Sequence, residues 1–92
     1  MNEKLLEKKL REGVKKLGGV ALKFGTEYHT GMPDRIVLMP GGQASFVETK
    51  STGKKPTALQ SKCLEALTVF GFKAVVIDSQ EGLDEFLNDL LK

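Results

Sequence analysis

The chain has 92 residues, enough for one hydrophobic core and too few for two, so a single domain over residues 1–92 is expected. A 40% hydrophobic and 28% charged composition is that of an ordinary soluble globular protein, and a single cysteine, Cys63, excludes an internal disulfide. No apolar run approaches the roughly 18 residues of a membrane span, and the charged N-terminus lacks a signal-peptide core, which points to the cytoplasm.

From Glu3 to about Leu17, Leu6, Leu10, Val14 and Leu17 recur at helical spacing, and Gly18 and Gly19 stop that helix. Lys4, Lys8, Lys9, Arg11, Lys15 and Lys16 crowd the same segment, so a net charge of only +2 conceals a basic side that a polyanion would meet first. Val20 to Phe24 predicts a short strand, followed by a polar loop through Tyr28, His29 and Gly31. Two strands, Asp34 to Met39 and Ala44 to Lys50, flank the turn residues Pro40, Gly41 and Gly42. A loop from Ser51 to Pro56 carries Lys54 and Lys55. A helix from about Thr57 to Phe70 then holds Cys63 as a small buried hydrophobe and ends at Gly71. Lys73 to Ile77 is an apolar strand, and Asp78 or Ser79 caps a last helix carrying Leu83, Phe86, Leu87, Leu90 and Leu91. The acids Glu81, Asp84, Glu85 and Asp89 gather there. The order is αβββαβα.

Centring the hairpin on Gly41 pairs Leu38 with Ala44, Ile36 with Phe46 and Asp34 with Glu48, all on one face. Most of that face is apolar and calls for burial, yet its open end carries two acids side by side with Lys50 following on the Glu48 face. Like charges opposite each other destabilise a sheet. Either one carboxylate holds a proton or a cation sits between them. Oxygen ligands beside a lysine favour a hard ion such as Mg²⁺ or Mn²⁺. Pro33 keeps Met32 extended just before Asp34, and Gly31 gives the backbone freedom for a close approach.

Gly31-Met32-Pro33-Asp34 followed by Glu48-Thr49-Lys50 resembles the motif of the PD-(D/E)XK nuclease superfamily in its ExK form. The element order is similar to that superfamily's restriction-endonuclease-like α/β core, a mixed sheet flanked by helices. More narrowly, the leading helix, Leu22-Lys23-Phe24, the GMPDR segment, the VETK strand and Gln60 resemble the stand-alone virus-type replication-repair nuclease (VRR-NUC) domains of phages and bacteria.

The resemblance implies that Asp34, Glu48 and the backbone carbonyl of Thr49 hold a divalent ion, and that Lys50 positions or activates the nucleophile or neutralises phosphate charge. It also implies a further acid from the first helix. Glu7 fits best, because Glu7, Leu10, Val14 and Leu17 form one inward stripe; Glu3, a turn earlier, is the second candidate. Thr57-Ala58-Leu59-Gln60 reads as a capping box, while the resemblance places Gln60 near the active site, and both roles are compatible.

Lys23, Lys54 and Lys55 are candidate phosphate contacts, and Arg35, on the face opposite Asp34, is a structural residue or a peripheral phosphate contact. The implied activity is Mg²⁺- or Mn²⁺-dependent endonucleolytic cleavage of duplex or branched DNA such as four-way junctions. So small a chain favours a homodimer that places two sites on two strands. The competing readings are a non-catalytic nucleic-acid-binding module of the same fold, an RNase, or a nuclease subunit of a larger complex.

Overall fold

A computed structural model describes residues 1–23 and 31–92. Tyr28, His29 and the Phe24 end of the first expected strand lie outside the described residues. The elements are α1 (Glu3–Lys16), β1 (Val20–Lys23), β2 (Arg35–Met39), β3 (Gln43–Thr49), α2 (Ala58–Val69), β4 (Lys73–Ile77) and α3 (Gln80–Leu90). They follow the expected order. The strands form one mixed sheet in the order β1-β2-β3-β4, antiparallel except for the parallel β3–β4 pair.

Each helix starts where a side chain satisfies a free backbone donor. Asn2 Oδ1 accepts the Leu5 N–H at 2.8 Å, Thr57 Oγ1 accepts the Gln60 N–H at 3.1 Å, and Ser79 Oγ accepts the Gly82 N–H at 3.0 Å. Gly18, at φ +92°, adopts the left-handed turn that ends α1.

The main core lies between one sheet face and the pair α1 and α3. Leu6, Leu10 and Val14 of α1 meet Ala21, Val37, Val47 and Ile77 of the sheet and Leu83, Phe86 and Leu90 of α3. Gly13 permits the two helices to come this close: a Cβ there would stand 2.6 Å from Leu87 Cδ1. The hairpin register is the expected one, with Ile36 opposite Phe46 and Leu38 opposite Ala44. The location of the deepest burial is not. Among the described residues, the Ile36–Phe46 face is covered only by α2, Leu38 stays 38% exposed, and the closed core forms on the opposite face. One helix spans too little width to seal a four-stranded face, whereas two helices do. On the α2 side, Phe72 packs edge-on against Phe46, with ring centroids 5.5 Å apart.

Among the described residues, no helix is long and apolar enough to cross a membrane.

Candidate active site

The site forms where β2 begins and β3 ends. The β2–β3 ladder closes at Arg35–Val47, and Asp34 lies just ahead of β2. The Asp34 N–H donates to Glu48 Oε1 at 3.2 Å. Its side chain turns across the strand end to Thr49, accepting the Thr49 N–H on Oδ1 at 3.3 Å. The expected side-by-side ladder pair is therefore replaced by an interlock, in which the backbone of one acid holds the side chain of the other. Asp34 escapes strict alternation because it precedes the strand.

Alternation along β3 sends Glu48 toward α2 and Thr49 toward α1. Glu48 is 6% exposed and Thr49 fully buried. The Thr49 hydroxyl lies 3.1 Å from Asp34 Oδ2 and 3.5 Å from Glu7 Oε1, and can donate to one of them at a time. Glu7, on the inward stripe of α1, thus reaches the site as expected. Glu3 is exposed, yet near enough for its charge to act on Glu48. On the other side, Gln60 Nε2 donates to Glu48 Oε2 at 3.3 Å while Gln60 Oε1 accepts the Thr57 N–H at 2.9 Å. One side chain both caps α2 and touches the site. Lys50 Nζ stands 3.4 Å from the same Glu48 Oε2, and the Lys50 N–H donates to the Ile77 carbonyl at 3.0 Å.

Burial dominates the electrostatics. The Asp34 carboxyl is pushed up from 3.8 to about 7, first by burial, then by a hydrogen bond with Glu7 and by the charge of Glu48, against the Thr49 N–H. Glu48 is raised as well, by burial that outweighs the opposing charge and hydrogen bond of Lys50 and the Asp34 N–H. The Asp34 carboxyl accordingly keeps its proton up to near neutral pH. Such a proton stands where a cation would otherwise offset the crowded acids.

The donor set of carboxylate oxygens suits a hard divalent ion. Among the described residues, no three acidic, histidine or cysteine side chains by themselves make up a metal-binding group. An ion would need oxygens beyond the carboxylates.

Arg35 lies on the sheet face that alternation gives it, the face opposite Ile36. Its guanidinium lies under α1, 4.0 Å from Glu7 Oε2, with the side chain 11% exposed. It is a partner of Glu7, because β2 alternation points it to the closed α1 face beside Val37. Among the described residues, its buried Nε has no hydrogen-bond partner. The Thr49 side chain is a further site group, beyond the backbone carbonyl expected there. The signal for it was the same alternation, which puts residue 49 on the face that α1 covers. Lys54 and Lys55 lie exposed on the loop after β3, and Lys23 is exposed at the end of edge strand β1.

Gly31 joins this strand end to α2. At φ +92° its backbone passes so close to Leu59 that a Cβ would stand 2.7 Å from Leu59 Cγ. The approach brings the Gly31–Asp34 segment against the first turn of α2, where Gln60 sits.

The VRR-NUC domain family model matches residues 1–81. A phage protein named "Putative nuclease p44", from Acyrthosiphon pisum secondary endosymbiont phage 1, is 41% identical over 81 residues, covering 88% of this chain and 87% of its own. A solved structure described as a VRR_NUC domain superposes with a TM-score of 0.86 at 30% identity, covering 94% of each chain. The chain therefore belongs to the VRR-NUC family of nuclease domains.

Proposed function

We propose that the protein is a Mg²⁺- or Mn²⁺-dependent endonuclease that hydrolyses phosphodiester bonds in DNA. The observation that carries this reading is the meeting of Glu7 and Asp34 at the Thr49 hydroxyl, with Glu48 held on the Asp34 N–H and Lys50 beside Glu48. Asp34 and Glu48 would hold the ion together with the Thr49 backbone carbonyl, with Glu7 beside Asp34. When bound, the ion supplies an acidified water and charge to balance the phosphate.

The protein's own residues account for the rest. Thr49 and the Asp34 N–H fix the directions of the two central carboxylates. Gln60 restrains Glu48 from the α2 side, and Arg35 offsets the charge of Glu7. Lys50 supplies a cation at the scissile phosphate and positions or activates the attacking water. A site with its donors arranged beforehand loses little to reorganisation during the reaction.

The family resemblance supports branched substrates such as four-way junctions, and the small size of the domain supports a homodimer with one site for each strand. Such an enzyme would act in the cytoplasm of a bacterial or phage-infected cell. Plasmid nicking in Mg²⁺, Mn²⁺ or chelator, with Lys50→Ala as control, tests the chemistry; equal nicking by variant and wild type would overturn it. Light scattering tests the dimer, and a panel of duplex DNA, four-way junction and RNA tests the substrate.

A further inference from the structure

We propose that one flank of α1 is a phosphate track that leads duplex DNA to the active site; the proposal rests on the nuclease reading above. At 100° per residue, Arg11, Lys4, Lys15 and Lys8 lie about 40°, 60°, 80° and 100° round the helix axis from Glu7. No acidic residue falls within that arc, and all four cations are exposed. Lys4 and Arg11, at i−3 and i+4, are the direct surface neighbours of Glu7. The stripe therefore begins at the site itself.

The inner side of the helix and its α3 flank are committed elsewhere. Leu6, Leu10 and Val14 face the core, Gly13 meets Leu87 of α3, and Lys9 Nζ donates to Gln80 Oε1 at 2.8 Å. The acid-rich α3 thus lies on the flank opposite the stripe. Among the described residues, Lys4, Lys8, Arg11 and Lys15 form no ion pair, whereas Lys50, Lys73, Lys92 and Arg35 each stand within 4.0 Å of an acid. Four unneutralised cations in one row beside a hydrolytic site suit a polyanion that must pass through it.

The dimensions agree. Lys4 to Lys15 spans about 16 Å of helix. A DNA strand advances 3.4 Å per phosphate, so this length matches about five phosphates. Contacts of this kind set position and register without reading bases.

The test measures equilibrium binding of a short duplex DNA by fluorescence anisotropy over a salt series. The host is the full chain carrying Lys50→Ala, so that the DNA stays intact. In that host, the set Lys4→Gln, Lys8→Gln, Arg11→Gln and Lys15→Gln is compared with the set Lys9→Gln, Lys16→Gln and Lys92→Gln. Melting curves verify that both remain folded. Each phosphate contact contributes about 0.9 to the slope of log K against log salt, so the stripe set is expected to flatten that slope by roughly two to four. The other set should leave it nearly unchanged.

An unchanged slope in the stripe set, or an equal loss per charge in the second set, overturns the track. If the unsubstituted enzyme nicks plasmid while the stripe set keeps its slope, only the track fails. If the unsubstituted enzyme cuts no DNA under any metal condition, the nuclease reading fails and the track with it.

Discussion

Gln60 holds Glu48 from the first turn of α2 while its own carbonyl oxygen caps that helix. The amide group donates at 3.3 Å to the carboxylate, and the oxygen accepts from Thr57 at 2.9 Å. The two functions separate by substitution. Gln60→Glu retains an oxygen for the cap and loses the donor to Glu48; Gln60→Ala loses both. Gln60→Ala should destabilise the protein by about 1 kcal/mol and speed hydrogen exchange at the Thr57 amide. Gln60→Glu should keep that amide protected and still lower the nicking rate several-fold. Slow exchange at Thr57 in both variants would mean that the cap does not depend on this oxygen.

Lys50 is expected to matter for turnover more than for metal. Lys50→Ala should reduce nicking at least about 100-fold, a loss of about 2.7 kcal/mol in transition-state stabilisation. The rise in melting temperature caused by Mn²⁺ should persist, because the carboxylates remain. Loss of the Mn²⁺ response together with activity would place Lys50 in metal binding.

Asp34 makes stability and metal binding depend on pH in opposite directions. Its folded value of about 7 exceeds the ordinary 3.8, so between these values the folded protein binds more protons than the unfolded one. Stability of the metal-free protein is then full below about pH 4 on this account and is lost as pH rises through 7. Because a cation competes with that proton, the stabilisation by Mg²⁺ or Mn²⁺ should be larger at pH 8 than at pH 6. Melting curves with chelator and with metal check both signs. Asp34→Asn should remove this part of the pH dependence, raise the metal-free melting temperature at pH 8 and abolish nicking.

Glu7 and Arg35 should tune Asp34 in opposite senses. The hydrogen bond that the protonated Asp34 carboxyl donates to Glu7 is the second-largest cause holding it up. Glu7→Gln removes a charge and should let Asp34 titrate lower, read by carbon NMR of the carboxyl. Arg35→Ala strips Glu7 of its partly buried partner and should move Asp34 further up and shift the pH–activity profile to the alkaline side. No shift in either variant would show that the three groups are not coupled.

Gly31→Ala tests the contact that docks the motif on α2. The substitution forces a side chain into the left-handed region and onto the Leu59 backbone, whose nearest atoms lie 3.1 and 3.2 Å from the added carbon. A loss of about 1–3 kcal/mol is expected, with lower activity in the residual folded protein. Shortening Leu59 to Ala should recover only the side-chain part, because the backbone strain remains.

The sequence by itself determined the order of elements, the hairpin register and the inward stripe that carries Glu7. Those features follow from local periodicity, turn chemistry and alternation, which a single chain displays directly. The capping box at Thr57 and Gln60 was legible for the same reason. Only the tertiary structure decided which sheet face would close. The difference lies in how many helices cover each side, and helix placement depends on contacts between segments far apart in the chain. It also decided that Asp34 turns toward Thr49, that Arg35 lies beneath α1 beside Glu7, and that Gly13 admits α3. Each of these depends on what a second element brings to the same point in space. The strength of a charge is written in the residue, but its burial, and therefore its pKa and its partners, is set by the neighbours that folding assembles.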